Sequence, residues 1–127
     1  MPTSCSLLTA EGVVESVFAG AVSPDELQAA MLGSVDLLRT SGNARVLADL
    51  RALAGGHSVS DLFGLVVYLE RLGLPAGFRE ALLVRPGDEG PAPEIRFWED
   101  ACRNRGFLVR IFTDRAEAIA WLVSPGG

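Results

Sequence analysis

The chain has 127 residues, of which 49% are hydrophobic and 21% are charged, a composition typical of one globular domain with a sizeable core. Its formal net charge is −5, and its 11 basic residues are all arginines without a basic run, which argues against a nucleic-acid partner. Two cysteines and one histidine offer no metal-ligand spacing. Because the chain also lacks a signal-peptide pattern and an apolar run of roughly 18 residues, we expect a cytoplasmic protein with no membrane partner, metal or other cofactor. In that compartment Cys5 and Cys102 are expected to be free thiols.

The first part of the chain predicts a hairpin followed by a helix. Residues 6–9 and 13–19 are two β-rich stretches separated by a short glycine-containing turn. Ser23 and Glu26 then have the spacing of a capping box, and apolar residues follow at helical intervals. Gly42 is placed to end this helix in a left-handed conformation.

The middle of the chain predicts a buried strand, a loop and a second helix. Residues 45–50 form an apolar run too short for a helix, and residues 52–57 form a glycine-containing loop. The helix over residues 58–72 begins with Ser58 and Asp61, which are spaced as a capping pair.

The last part of the chain alternates strands and helices again. The predicted elements are a strand over 81–84, a turn-rich connection over 86–93, a helix over 94–104 and a strand over 107–112. Thr113 is expected to cap a short last helix. The predicted core face of this helix holds four residues, Ala116, Ile119, Ala120 and Val123.

Strands that alternate with helices after an initial hairpin predict an α/β domain with a mainly parallel sheet. The interior strands should then place six apolar residues in the core, namely Val46, Leu47, Leu82, Val84, Val109 and Ile111.

This order of elements resembles the STAS-like proteins related to the bacterial anti-sigma factor antagonist, especially the SpoIIAA-like branch. The resemblance covers most of the chain and rests on three segments, VLADL at 46–50, NRGF leading to VRIFTD at 104–114, and AIAWL at 118–122. It implies a single STAS-like domain over residues 1–127, an α/β sandwich whose five-stranded mixed sheet is opened by the hairpin and flanked by about four helices. It also implies a non-catalytic regulatory module that binds a protein partner, such as a regulatory kinase, a sigma-pathway protein or a second copy of itself.

The start of the second helix departs from the antagonist pattern. In the antagonists the corresponding helix opens with an Asp-Ser-Ser-Gly sequence whose serine is phosphorylated by a partner kinase, whereas residues 55–61 here read GGHSVSD. Ser58 and Ser60 are still candidate phosphorylation sites, because a phosphate there would meet free N–H groups and the positive end of the helix dipole. The alternative is that Ser58 only caps the helix together with Asp61. His57 does not complete a hydrolytic site, because adjacent side chains diverge.

The second helix also carries apolar residues outside its core stripe. Phe63 and Val67 point away from the stripe, so they are either covered by neighbouring elements or contact a partner or ligand. The predicted partner- or ligand-binding surface therefore comprises Asp49, Ser58, Ser60, Asp61, Phe63 and Val67. Two functions remain open, a regulatory protein-interaction module and a domain that binds a small apolar ligand or a nucleotide against this helix.

Overall fold

The computed structural model describes residues 3–8, 12–55, 58–87 and 92–125, which form five strands and four helices. The elements are β1 (Thr3–Leu8), β2 (Val13–Gly20), α1 (Pro24–Ser41), β3 (Arg45–Leu53), α2 (Val59–Leu72), β4 (Arg79–Leu83), α3 (Pro93–Arg103), β5 (Leu108–Phe112) and α4 (Arg115–Val123). His57, residues 88–91 of the predicted 86–93 connection and the side chain of Cys5 lie outside the described parts.

The strands form one sheet in the order β1-β2-β3-β4-β5. β1 pairs with β2 in antiparallel orientation, whereas β2, β3, β4 and β5 are parallel to their neighbours. The parallel pairs follow from the connections, because each strand after β2 is reached through a helix. The structure agrees with the sequence-based expectation in its α/β class, its single-domain fold and its four flanking helices. The antiparallel pairing is confined to the β1–β2 hairpin.

Helices cover both faces of the sheet. Three of them, α1, α2 and α3, lie on one face, with α2 between the other two, and α4 lies alone on the opposite face. Because side chains alternate along a strand, Ala48 and Leu82 face the three helices, whereas Leu47 and Leu83 face α4. Coverage on both faces explains the continuous apolar runs over residues 46–48 in β3 and 81–83 in β4.

The two predicted capping boxes are confirmed. In α1, the backbone N–H of Glu26 donates to Ser23 Oγ at 3.2 Å, and the Ser23 N–H donates to Glu26 Oε1 at 2.9 Å. In α2, the Asp61 N–H donates to Ser58 Oγ at 3.1 Å, and the Ser58 N–H donates to Asp61 Oδ2 at 2.8 Å. Gly42 ends α1 with φ of 67°, the left-handed conformation expected of it.

Strand β3 is longer than predicted. It continues to Leu53, because Ala52 and Leu53 pair with Ala19 and Gly20 at the end of β2. The predicted loop over residues 52–57 therefore begins too early, because residues 52 and 53 belong to the strand. Strand pairing overrides the weak local signal of this segment.

The predicted start and face of α4 were also wrong. The N-cap is Asp114 rather than Thr113, and its side chain accepts a hydrogen bond from the Ala116 N–H at 3.0 Å. The buried residues of α4 are Ala118 and Leu122. Three of the four residues predicted to face the core, Ala116, Ala120 and Val123, are exposed. Apolar residues surround this short helix, so its periodicity cannot set its rotation, and docking onto the sheet decides it.

Five of the six predicted core residues of the strands are buried, whereas Ile111 is only partly covered. Cys102 is buried and free, as expected. Burial raises the pKa of its thiol far above the ordinary range, and the nearby Glu80 carboxylate raises the pKa further, although Arg105 opposes both effects.

A buried arginine ties α4 to the sheet. Arg79 in β4 faces α4 and is only 3% exposed. Its Nη1 donates to the carbonyl oxygens of Trp121 and Ser124, at 2.7 and 3.1 Å, at the C-terminal end of the helix. The guanidinium carbon also lies 5.6 Å from the centre of the Trp121 ring. These bonds satisfy carbonyl groups that a helix end leaves without intrahelical partners.

Candidate functional site

The predicted site residues of α2 cluster at its N-terminal end. Ser58 and Asp61 are engaged with one another in the capping box, and Ser60 is exposed. A phosphate on Ser58 would be esterified to the Oγ that accepts the Asp61 N–H and would place negative charge beside the Asp61 carboxylate. Ser60 is exposed and takes no part in the capping box.

Phe63 is solvent-exposed on α2 and lies beside a charged side chain. Its side chain is 49% exposed, and the Arg105 guanidinium carbon is 5.2 Å from the ring centre. Arg105 also forms an ion pair with Glu70, with Nε 3.6 Å from Oε1. Val67, one turn after Phe63, is partly covered. Phe63 therefore lies outside the core stripe of α2, as the helical spacing predicted.

Asp49 lies on the opposite face of the sheet from α2. Asp49 is two residues after Leu47, so it lies on the same face, which α4 covers. Its carboxylate accepts three hydrogen bonds from Arg51, from the backbone N–H at 3.1 Å, from Nε at 3.0 Å and from Nη2 at 2.8 Å. The hydrogen bond from the Arg51 side chain lowers the pKa of Asp49, in opposition to burial. A second ion pair, Arg115 with Glu15 at 3.5 Å, lies on the same side of the sheet. The structure therefore brings together the α2 residues of the predicted surface but separates Asp49 from them by the thickness of the sheet.

The face of the sheet covered by α1, α2 and α3 encloses a cavity, which we call the core cavity. Its volume is about 100 Å³. Its walls are mainly apolar and come from the sheet and from all three helices. The lining residues include Ser16, Ala48, Leu53, Glu80 and Leu82 from the sheet, Ala30 and Ser34 from α1, Leu62 and Leu65 from α2, and Glu94, Ile95 and Trp98 from α3.

The core cavity reaches the surface near the carboxyl ends of the parallel strands. Leu53 at the end of β3 and Glu94 and Ile95 at the start of α3 line it and are only partly buried. Residues deeper along the walls, such as Ala48 and Leu82, are buried. In open α/β sheets the carboxyl ends of the strands are the usual location of ligand sites.

One polar contact in the cavity wall joins the sheet to α1. The hydroxyl groups of Ser16 in β2 and Ser34 in α1 are 2.6 Å apart and buried. Each hydroxyl can donate and accept, so the pair is satisfied without a charge.

Glu80 is one of the two carboxylates that line the cavity, the other being Glu94. It belongs to β4, and because it alternates with Leu82 it faces the three helices. The Trp98 indole N–H donates to its Oε1 at 2.8 Å. Burial raises the pKa of Glu80 from 4.5 to about 7, although the hydrogen bond from Trp98 opposes this rise.

The sequence-based prediction missed Glu80 because it began this strand at residue 81. The strand starts at Arg79, and its residues alternate between the two covered faces of the sheet. A signal was present, since a carboxylate two positions before Leu82 in a strand covered on both sides must enter the core. Trp98 lies on the buried side of α3.

Within the described ranges, no group of three or more His, Cys, Asp or Glu side chains is arranged to hold a metal ion. Over the same ranges, no helix has the length and apolar character required to cross a membrane.

Comparison with known proteins identifies the fold. No protein-family model matches the chain, and no curated protein matches it significantly. Among solved structures, the chain is similar to an uncharacterised protein of the DUF3478 family from Shewanella loihica PV-4, whose structure is described as having a SpoIIAA-like fold. The match has a TM-score of 0.53 at 16% sequence identity and covers 94% of this chain and 91% of that one. The chain therefore has a SpoIIAA-like, STAS-like fold.

Proposed function

We propose that this protein is a non-catalytic regulatory domain that binds a small apolar ligand in the core cavity. The observation that carries the proposal is the cavity itself, an apolar space of about 100 Å³ between the sheet and three helices. Protein interiors are normally packed as tightly as organic crystals, and voids larger than a water molecule are few.

The size and lining of the cavity fit a ligand site. An engineered apolar cavity of about 150 Å³ stays dry and binds benzene, so a space of the same order accepts a single ring or a short chain. Ligand sites are typically lined by apolar side chains with a few placed polar groups, which here are Glu80 and the Ser16–Ser34 pair. A nucleotide is a poor fit, because the cavity offers no arginine for a phosphate.

Helix α2 connects ligand binding with regulation. Leu62 and Leu65 on its inner side line the cavity, and Phe63 on its outer side is exposed. A ligand that favours one position of α2 would therefore change the surface that α2 presents to a partner, which is how differential binding shifts a conformational equilibrium.

The proposal is tested with a matched pair of substitutions. Ala30 in α1 and Ala101 in α3 are both helical and both 7% exposed, but only Ala30 lines the cavity. We expect toluene to raise the melting temperature of the wild-type protein, and Ala30→Leu to abolish this shift by filling the cavity. Ala101→Leu should keep the shift, while overpacking its site at a cost of about 1–3 kcal/mol.

A second measurement uses the purified protein directly. Denaturation followed by mass spectrometry of the extract should release a small apolar molecule from wild-type protein and none from Ala30→Leu. If no molecule is released and toluene leaves the melting temperature unchanged, the proposed function is wrong.

A second candidate function is a protein-interaction surface on α2, and the exposure of Phe63 favours it. Its partner would be a protein of the kind that the fold resemblance implies, a regulatory kinase, a sigma-pathway protein or a second copy of the chain. Phe63→Glu should abolish binding to a partner encoded beside this protein while the circular dichroism spectrum is retained. Val123→Glu is the matched control, because Val123 is also 49% exposed but lies on α4. Equal binding by both folded variants would contradict the interaction surface.

A further inference from the structure

We propose that Glu80 recognises the ligand through a hydrogen bond. The ligand is an apolar molecule with a single ring or a short chain and one hydrogen-bond donor, a hydroxyl or an N–H, which we call its head group. It enters the cavity with this head group first. This inference rests on the proposed function and adds the chemical class of the ligand and its orientation.

The first argument is the unequal use of the two Glu80 oxygens. Oε1 accepts the indole N–H of Trp98, whereas no side chain or backbone group in the described ranges donates to Oε2. The structure contains no fully buried polar side-chain atom without a partner in those ranges, so Oε2 retains accessible surface. Since Glu80 lines the cavity, that surface is available to a cavity ligand.

The second argument is the position of Glu80 along the cavity. Glu80 is the second residue of β4, near the amino end of the strand, whereas Leu53 at the end of β3 and Glu94 and Ile95 at the start of α3 lie toward the carboxyl ends of the strands. From Glu80 to the end of β4 at Leu83 the strand advances roughly 10 Å, at about 3.3 Å per residue. A ligand that reaches Glu80 from the surface therefore places its head deep in the cavity and its apolar body against Leu62, Leu65 and Leu82.

The third argument is charge. A carboxylate accepts hydrogen bonds and repels an anion, and a second carboxylate, Glu94, lines the same cavity near the surface. An anionic head group would meet both of them, so the lining selects against carboxylate or phosphate ligands. A neutral donor head would satisfy Oε2 without adding a charge to the core, and hydrogen bonds to charged groups are the stronger kind.

The test compares phenol with toluene, which have similar shapes and differ in the donor group. In wild-type protein at pH 8, we expect phenol to bind in the cavity and benzoate not to bind. Glu80→Met removes the acceptor and should lower the ratio of phenol affinity to toluene affinity by about tenfold, the size expected for one hydrogen bond to a charged group. Glu117→Met is the matched control, because Glu117 is exposed on α4 and does not line the cavity, and it should leave that ratio unchanged.

A second measurement needs no substitution, so it holds even if Glu80→Met does not fold. The indole N–H of Trp98 reports on Glu80, whereas Trp121 packs against Phe112 on the α4 side of the sheet and serves as an internal reference. In NMR titrations of wild-type protein, phenol should shift the Trp98 indole signal more than toluene does, and neither should shift that of Trp121.

The outcomes separate this inference from the proposed function. Two outcomes would show that Glu80 does not recognise the ligand while the cavity proposal stands. In the first, toluene binds but phenol shifts the Trp98 signal no more than toluene does. In the second, toluene binds and the affinity ratio is unchanged in folded Glu80→Met. If neither ring binds and no molecule is released on denaturation, both proposals fail.

Discussion

Replacing Glu80 by glutamine should change how the stability of this protein depends on pH. The wild-type carboxyl has a folded-state pKa of about 7 against an ordinary value of 4.5, because burial disfavours its charged form. Below pH 4.5 it is protonated in both the folded and unfolded states and has no effect on the pH dependence. Between pH 4.5 and about pH 7 the folded state holds a proton that the unfolded state has lost, so the free energy of unfolding falls as the pH rises.

The magnitude follows from the shift. A difference of about 2.5 pKa units, at about 1.4 kcal/mol per unit, corresponds to about 3 kcal/mol lost between pH 4.5 and pH 8. Glutamine stays neutral over this range, and its carbonyl oxygen can still accept the Trp98 hydrogen bond. Glu80→Gln should therefore match the wild type near pH 4.5 and exceed its stability by up to about 3 kcal/mol at pH 8.

Urea unfolding followed by circular dichroism at several pH values measures this difference. Subtracting the wild-type curve from the Glu80→Gln curve removes the titrations that the two proteins share. Glu94→Gln is the control, since its partly exposed carboxylate is solvated, and its difference from wild type should stay within about 0.5 kcal/mol. If the wild-type and Glu80→Gln stabilities remain parallel from pH 4.5 to pH 8, the reasoning about burial of Glu80 is refuted.

Three further substitutions and reactions test other parts of the structure. Ser58→Ala should lower the free energy of unfolding by about 1 kcal/mol through loss of the α2 cap, whereas Ser60→Ala should change it by less than about 0.5 kcal/mol; equal urea midpoints for the two variants would contradict the capping role. Arg79→Met should lower the free energy of unfolding by about 1–3 kcal/mol, because carbonyl groups at the end of α4 lose the Arg79 donor. Arg85→Met at an exposed position is the control, and equal melting temperatures of the two variants would show that the Arg79 bonds do not stabilise the fold. The Cys102 thiol should resist alkylation in the native protein and react after unfolding in urea, as peptide mass spectrometry can show; rapid labelling in the native state would contradict its burial and raised pKa.

The sequence by itself determined the order of the elements and several of their ends. Capping boxes and left-handed glycines act through atoms within a few residues, so the starts of α1 and α2 at Ser23 and Ser58 and the end of α1 at Gly42 could be predicted locally. The core stripe predicted for α2 holds five residues at helical spacing, of which Leu62, Leu65, Val66 and Leu69 are buried and Leu72 is partly covered.

Only the tertiary structure decided which face of each element meets which neighbour. The rotation of α4 and the extension of β3 depend on pairing and docking with segments distant in the chain, for which the local pattern is ambiguous. The same reason explains the two main differences at the candidate site. Asp49 is close to α2 in sequence but lies across the sheet from it, whereas Glu80 and Trp98, from β4 and α3, meet at 2.8 Å in the core. The cavity is set by how side chains from the sheet and three helices pack together, and no local period in the sequence encodes that.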